Sequence, residues 1–250
     1  MGIPPRQISN ARTSSEENNT HHIRITRKKQ LFLLFWIAEE DKGRKLFSES
    51  AQTRMQNIKK MQEYDEEIHK VHCPPLHTFS EIQTIIDNWI EHYGGTNKVV
   101  IKEIAIFSHS GWDGPIIYSD PINMQMPLEG WSSLNINWHS GNVRCTFFGC
   151  NSAADPSFAQ RISILANFLE VEVGGQSASS FPSFSPSKRI TSIGRSNNFA
   201  WSVAGTYMVG SKAGKGRQAH LWGVQVEPMR FYKNGVLLYE KDQSFFNPGE

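Results

Sequence analysis

The sequence predicts an α/β protein with a mainly parallel central sheet, flanked by helices, and a C-terminal β-hairpin extension. Short, continuously apolar runs suit strands that are buried on both faces. Amphipathic helical stretches separate these runs, so the connections are crossovers and the strands are parallel. Near the C-terminal end, Asn234-Gly235 stands between two strand-like runs. This pair is the strongest short signal for a β-hairpin.

Composition limits the domain content and the function. The chain has 250 residues with 38% hydrophobic and 11% aromatic content, enough for one large α/β domain or two small ones. A net charge of +2 does not indicate a nucleic-acid partner. The three cysteines are an odd number without metal-type spacing, which indicates a reducing compartment or a fold that needs no disulfides. We expect neither a cofactor nor a bound metal.

The sequence also predicts no membrane partner. The longest apolar run, Leu31 to Ala38, is about half the length that a spanning helix needs. The N-terminus lacks the apolar region of a signal peptide. We therefore expect a cytoplasmic protein, or one secreted by a route that needs no signal peptide.

The chain divides into a polar lead-in and one domain. Residues 1–29 have almost no apolar pattern, which predicts a flexible N-terminal segment. Residues 30–250 are interpreted as a single α/β domain. Its core spans 30–175, and a Ser-rich loop and the C-terminal β extension span 176–250.

The first half of the core predicts the order strand, helix, helix, strand. The run Gln30 to Ile37 predicts a strand, and an apolar stripe predicts a helix over Ser48 to Val71. Thr78 to Glu81 has capping-box spacing and opens a second helix, which Gly94-Gly95 closes. A strand from Val99 to Phe107 follows.

The second half of the core repeats this rhythm after an irregular segment. Residues 111–141 are rich in Trp and Pro and are long enough to form a lid or a rim. A strand is predicted over Val143 to Phe148, and Asp155-Pro156 predicts the start of a helix. Val171 to Val173 predicts another strand, which Gly174-Gly175 should stop.

Beyond Gly175 the sequence predicts less regular structure. Gln176 to Asn198 is interpreted as a long surface loop. Phe199 to Val209 is apolar and predicts either a strand or a short helix. In the hairpin, Trp222 to Tyr232 should pair with Val236 to Tyr239.

Two of the predicted strands end in a reactive side chain. His109 follows the strand that ends at Phe107, and Cys150 follows the strand that ends at Phe148. Ligands of open α/β sheets bind outside the carboxyl ends of the strands, so this pair can supply a base and a nucleophile. The helix predicted after Cys150 should lower the pKa of its thiol. Gly149 permits a tight turn beside it.

Less specific interpretations of these residues stay open. Cys150 can be a buried structural cysteine, since free cysteines are among the most buried residues. His109 can be a loop histidine. Asp113 can orient His109 or select a basic substrate group, although a turn residue is the commoner role. Ser108 and Ser110 offer a serine nucleophile, but neither lies in a Gly-x-Ser-x-Gly elbow.

The order of these features resembles the caspase-haemoglobinase clan of cysteine peptidases. That group contains caspases, gingipains, clostripain, separase and the bacterial CHAT-type proteases. The matching segments are Ile104 to Gly111 and Cys145 to Ala153, and the unit from Phe158 to Gly175 is also similar. The resemblance extends over Leu31 to Gly175. It implies a caspase-like fold.

The resemblance also implies a catalytic dyad and a reaction. Cys150 would attack a peptide carbonyl, and His109 would protonate the leaving amine. Backbone N–H groups, that of Cys150 and one just after His109, would hold the oxyanion. The family usually has Gly directly after the His, whereas Ser110 stands here before Gly111. The residues assigned to oxyanion and substrate binding are Ser110, Gly111, Gly149 and Asp113.

We therefore predict a cysteine peptidase that cleaves a peptide bond in a protein or peptide substrate. Two alternatives stay open. One is a catalytically inactive caspase-like module that binds a partner through the Trp-rich and Ser-rich loops. The other is an amidase that uses the same dyad. Size and domain content also fit a bacterial toxin or effector, which would have a partner or immunity protein.

Overall fold

The structure, a computed structural model, describes residues 27–38, 42–117, 125–183, 207–211 and 227–241. The segment predicted to be flexible therefore lies almost wholly outside the described residues. The described strands are β1 (Lys29–Ile37), β2 (His69–His72), β3 (Pro75–Leu76), β4 (Val99–Phe107), β5 (His109–Gly111), β6 (Gly114–Ile116), β7 (Arg144–Phe147), β8 (Glu172–Gln176), β9 (Ser179–Ser183), β10 (Tyr207–Ser211), β11 (Met229–Lys233) and β12 (Val236–Lys241). The described helices are α1 (Lys42–Lys59), α2 (Glu81–His92), α3 (Leu128–Ser133), α4 (Phe158–Ile162) and the 3-10 turn Ala166–Phe168.

The central sheet has eight strands in the order β12-β11-β8-β7-β4-β1-β2, with β3 pairing β1 beside β2. The pairings from β2 to β8 are parallel, and those of β11 with β8 and β12 are antiparallel. Helix α1 packs on β1 and β4, and α4 packs on β8 and β11. The prediction of a mainly parallel sheet flanked by helices is confirmed.

The core lies on both faces of the central strands. In β1, neighbouring residues such as Leu33 and Leu34 are both fully buried, and the same holds for Ala105 and Ile106 in β4. Successive side chains of a strand point to opposite faces, so both faces are covered. This burial explains the apolar runs Leu31 to Ile37 in β1 and Ile104 to Phe107 in β4, which do not alternate with polar residues.

The helix predicted over 48–71 is wrong beyond Lys59. Helix α1 ends there, the chain turns, and β2 enters the sheet with Val71 opposite Phe32 of β1. Spacing of apolar residues in this segment fits a helix, but pairing with β1 satisfies the same backbone groups and buries Val71. Tertiary pairing therefore overrides the local helical pattern.

The helix predicted to start at Asp155-Pro156 begins later. Helix α4 starts at Phe158, and its cap is Ser157, whose hydroxyl accepts the N–H of Gln160 at 3.1 Å. Residues 111–141, predicted to be irregular, contain β5 and β6 at one end and helix α3 further along.

The glycine pair predicted to stop a strand lies inside β8. A Cβ on Gly174 would lie 2.3 Å from a ring carbon of Phe231, and one on Gly175 would lie 2.8 Å from the hydroxyl of Ser152. Glycine is needed here because neighbouring side chains pack directly against the strand backbone. The Ser-rich segment predicted to be a loop is in part strand β9, which pairs with β10; residues 184–206 and 212–226 lie outside the described residues.

The predicted hairpin is confirmed in β11 and β12. Its turn holds Asn234 and Gly235 at φ values of 51° and 80°. The hairpin is also part of the central sheet, because β11 pairs with β8. The predicted pairing of residues 222–226 lies outside the described residues.

Candidate functional site

His109 and Cys150 follow the carboxyl ends of two neighbouring strands, β4 and β7. These strands are parallel neighbours, and the last registered pair is Ile106 opposite Phe147. His109 and Cys150 each lie three residues past that pair. Neighbouring strands are about 4.8 Å apart. The two reactive residues therefore follow adjacent strands at matched positions.

The strand order places His109 at a topological switch point. From β1 the chain passes to β2 on one side, and it then returns to β4 on the other side. Ligands of open α/β sheets bind in the crevice where the order reverses, outside the carboxyl ends. His109 directly follows this edge of β4.

The loops that follow β4 and β7 touch at Gly149. A Cβ on Gly149 would lie 2.3 Å from the Cβ of Ser110, 2.9 Å from the carbonyl oxygen of Ser108 and 3.2 Å from the backbone nitrogen of Ser110. Only glycine fits such an approach without a shift of backbone. The predicted tight turn at Gly149 thus serves to hold the His109 loop against the Cys150 loop.

Segment 176–180 forms the other side of the Cys150 loop. The backbone N–H of Ser180 donates to Cys150 Sγ at 3.1 Å, and the thiol lies 3.6 Å from the carbonyl oxygen of the same residue. The N–H of Asn151 donates to the carbonyl oxygen of Ala178 at 2.9 Å. Sequence reasoning missed Ser180, because a contact between loops 30 residues apart leaves no local pattern.

Ser152 fixes the shape of the Cys150 loop. Its hydroxyl lies 2.9 Å and 3.0 Å from the carbonyl oxygens of Phe147 and Gly149, to which it can donate, and it accepts the N–H of Gln176 at 3.0 Å. The side chain is fully buried. One hydroxyl thus ties the end of β7 to the end of β8. The sequence showed Ser152 only as one of several small residues after Cys150.

The surroundings of the Cys150 thiol shift its pKa upward. Burial raises its pKa, and the hydrogen bond from the N–H of Ser180 offsets part of that rise. The predicted lowering of this pKa is wrong. It relied on a helix directly after Cys150, and α4 begins only at Phe158.

The other two cysteines lie away from this edge. Burial raises the pKa of Cys73 to about 12, and its Sγ lies 3.9 Å from the sulfur of Met55. Cys145 is fully buried inside β7, as its position in the strand predicts, and burial raises its pKa well above the usual value. Cys150 is the cysteine at the carboxyl edge of the sheet.

His109 lies on a small hairpin rather than in a simple loop. Strands β5 and β6 pair antiparallel, with His109 opposite Ile116. The imidazole meets the buried ring of Phe47 from α1 edge to face, with ring centroids 5.1 Å apart. This packing restricts the rotation of a half-buried His109 ring.

The tip of the β5–β6 hairpin holds Gly111 and Asp113. An oxygen of Asp113 would lie 2.7 Å from a Cβ on Gly111, so the carboxylate folds over the Gly111 backbone. Ser110 donates its hydroxyl to the carbonyl oxygen of Gly111 at 3.0 Å. Asp113 therefore lies at the turn. Roles for these residues in oxyanion or substrate binding stay predictions.

Helix α4 anchors this hairpin. Arg161 donates from Nη2 to the carbonyl oxygen of Trp112 at 3.2 Å. Gly114 has a φ of 122°, and a Cβ there would lie 2.6 Å from the ring of Phe158. The Trp112 side chain is 55% exposed. The exposed Trp112 ring thus lies at the rim of the site, on a turn that contacts helix α4.

Two serine hydroxyls are buried beside the dyad. Ser108 is 2% exposed and Ser180 is 7% exposed, and neither hydroxyl has a hydrogen-bond partner within the described ranges. A nucleophile must be reachable by its substrate, so its burial disfavours Ser108 as a serine nucleophile, whereas Ser110 is only partly buried. Among the residues that the structure describes, no group of His, Cys, Asp and Glu side chains is arranged to hold a metal ion.

Comparison with known proteins adds no relative: no family model, no curated protein and no solved structure matches the chain. None of the helices in the described ranges combines the length and the hydropathy needed to cross a membrane.

Proposed function

We propose that the chain is a cysteine peptidase, with Cys150 as the nucleophile and His109 as the general acid–base. The observation that carries the proposal is the matched placement of these residues after β4 and β7, with Gly149 pressed against the His109 loop. A thiol and an imidazole at neighbouring strand ends are the two groups that acyl transfer through a cysteine requires. The proposal includes a caspase-like fold, which the parallel, helix-flanked sheet supports.

The raised pKa of Cys150 is consistent with the following order of proton transfers. Sγ of Cys150 forms a bond to the substrate carbonyl carbon, and its proton passes to His109. His109 then gives that proton to the leaving amine as the C–N bond breaks. Water attacks the resulting thioester, and the acid product leaves with Sγ protonated again.

Backbone N–H groups beside Gly149 are suited to stabilise the oxyanion. The nitrogen of Ser110 lies 3.2 Å from the place of a Cβ on Gly149, whose next residue is Cys150. The N–H groups of Ser110 and Cys150 therefore belong to loops in direct contact. Such paired donors stabilise tetrahedral intermediates strongly.

A second candidate, a catalytically inactive binding module, is favoured by one observation. Burial raises the pKa of Cys150 instead of lowering it. In that case the exposed ring of Trp112 at the hairpin tip would contribute to a partner surface.

A peptide-library digest separates these functions. We expect the wild-type chain to cut peptides, and we expect Cys150→Ala and His109→Gln to lose at least about a hundredfold in rate. Cys73→Ala, a cysteine change remote from the edge, should keep the wild-type rate. Cleavage that survives Cys150→Ala would refute the proposal, and small amides cut in place of peptides would indicate an amidase.

Iodoacetamide labelling tests the thiol without a known substrate. Cys150 should be alkylated before Cys73 and Cys145, because Ser180 donates a hydrogen bond to its sulfur whereas burial is the largest cause of the raised pKa of the other two. Its labelling should rise with pH through and beyond pH 9, the ordinary thiol value, because its pKa is raised. A native chain that labels Cys73 first, or resists both alkylation and cleavage assays, would favour the binding module.

A further inference from the structure

A large cavity lies at the opposite edge of the sheet from the dyad. Its volume is about 920 Å³, and its wall includes the starts of β4, β7 and β8. Lys102 in this wall and His109 are seven residues apart in sequence, or roughly 23 Å along an extended strand. The cavity has the size of a small-molecule site. It is separate from the proposed peptidase site.

Three side chains in the wall of this cavity can donate hydrogen bonds, and within the described ranges none of them is hydrogen-bonded to a carboxylate. His69 Nδ1 accepts the N–H of Asp65 at 3.0 Å, and His139 Nδ1 accepts the N–H of Gly141 at 2.8 Å. Each Nδ1 is thus unprotonated, so each ring carries its proton on Nε2 and presents a donor there. Lys102 Nζ donates to the carbonyl oxygen of Asn142, and no carboxylate in the described ranges pairs with it.

The electrostatics of these three groups confirm that they are neighbours. Burial and the charge of Lys102 both lower the pKa of His139 and of His69, the latter against the opposing charges of Asp65 and Glu63. Burial, with the charge of Arg144, also lowers the pKa of Lys102. An anion bound among the three groups would relieve this unfavourable positive potential.

Apart from Glu63, the remaining charges of the wall are already paired. Arg54 and Glu103 are nearly fully buried and form two hydrogen bonds, at 3.0 Å and 2.7 Å. The other ion pairs are Arg144–Glu172 at 2.5 Å and Lys233–Glu170 at 2.8 Å. Among the described residues of the wall, Lys102 is therefore the cation left for a ligand. Exposed Glu63 at the mouth would disfavour a highly charged anion.

The apolar part of the wall indicates the rest of the ligand. Phe32 packs edge to face on His69 with centroids 5.6 Å apart, and Tyr64 lies 5.7 Å from the same ring. Trp138 adds a third aromatic side chain to the wall. A flat apolar group fits between such rings.

We propose that this cavity binds a small organic anion with one carboxylate or phosphate group and a planar apolar body. Lys102 and the Nε2–H groups of His69 and His139 hold the oxyanion. Phe32, Tyr64 and Trp138 contact the body. The site is independent of peptide cleavage, so its test is a binding measurement.

Nitrogen-15 NMR titration of the whole chain with benzoate, phenyl phosphate and neutral benzamide tests the site. The Trp138 indole N–H, which donates to Asn167 at 2.9 Å, is the reporter and is assigned with Trp138→Phe. Benzoate or phenyl phosphate should shift this signal at millimolar concentration, and the stronger of the two identifies carboxylate or phosphate. Benzamide should shift it at least about tenfold more weakly, because it lacks the charge.

Matched variants separate the proposed contacts from nonspecific binding. Lys102→Met should lower the affinity for the better-binding anion by about tenfold or more, since a charge-assisted hydrogen bond is lost. The exposed Lys60→Met should not change the affinity. Glu63→Gln should leave binding unchanged or tighten it. An unchanged wild-type spectrum at saturating anion, equal binding of benzamide, or full affinity in a folded Lys102→Met chain would overturn the proposal.

Discussion

The contact at Gly149 makes a sharp prediction about the candidate site. In Gly149→Ala, the new Cβ would lie 2.3 Å from the Cβ of Ser110. Ordinary carbon contacts are about 3.5 Å or longer, so the two loops must separate by about 1 Å. Overpacking of this kind destabilises by about 1–3 kcal/mol. A 1 Å misplacement of catalytic groups lowers a rate by about a hundredfold.

Thermal unfolding and peptide cleavage measure these two effects separately. We expect Gly149→Ala to lower the melting temperature by about 2–10 °C for a chain of this size. Ser110→Gly alone removes the opposing Cβ and should be nearly neutral. In the double variant it should restore part of the loss, because the contacts at 2.9 Å and 3.2 Å with the Ser108 oxygen and the Ser110 nitrogen remain.

The reasoning fails if Gly149→Ala keeps wild-type stability and wild-type alkylation of Cys150. Unchanged stability together with unchanged alkylation would mean that the loops are not in contact as described. Additivity of the Ser110→Gly and Gly149→Ala effects would be equally damaging, since residues in contact must couple.

Two further predictions concern groups outside the dyad. Arg54→Met should destabilise the chain by about 3–5 kcal/mol in urea unfolding, because Glu103, 3% exposed, loses its partner. Adding Glu103→Leu should recover most of the lost stability. A double variant as unstable as Arg54→Met alone would count against this explanation. Burial lowers the pKa of His72 to about 4, below its unfolded value near 6.5. Stability should therefore be complete above pH 6.5 and decline as the pH falls towards 4, because the unfolded state binds a proton that the folded state does not. His72→Gln should flatten this decline whereas the exposed His77→Gln should not, and parallel pH profiles for the two variants would rule the assignment out.

The central strands could be predicted because their environment is uniform. Every residue of β4 except Lys102 is buried, and apolar residues stand on both sides of the Lys102-Glu103 pair because two faces are covered. The turn at Asn234-Gly235 could also be predicted, because its positive φ values favour that residue pair. Both signals are local and need no knowledge of the partner strand.

The positions of His109 and Cys150 after parallel strands followed from one general rule. Parallel strands joined by crossovers share their carboxyl edge, so residues after two such strands meet there. The sequence alone could not reveal whether β4 and β7 are neighbours. The strand order also includes β2, and the apolar spacing around β2 fits a helix, so the sequence did not predict this strand.

The features that remained hidden depend on contacts between distant segments. The hydrogen bond from Ser180 to Cys150 joins residues 30 positions apart. The cavity donors come from β2, β4 and the loop before β7. Neither has a repeating pattern, because single contacts between loops impose no period on the sequence. The Ser157 cap was overlooked for another reason: Asp155 gave an equally good local signal two residues earlier.

The raised pKa of Cys150 is compatible with catalysis when the hydrogen bond from Ser180 is considered. An N–H that donates to a neutral sulfur at 3.1 Å binds a thiolate more strongly, since charge-assisted hydrogen bonds are about twice as strong as neutral ones. Burial opposes the thiolate at rest, while the Ser180 N–H favours it once the proton has moved to His109. A substrate that excludes water from the edge would strengthen this second effect. In the proposed mechanism the hydrogen bond from Ser180 therefore favours the reacting state, and the rate loss in His109→Gln measures how far the chain uses this mechanism.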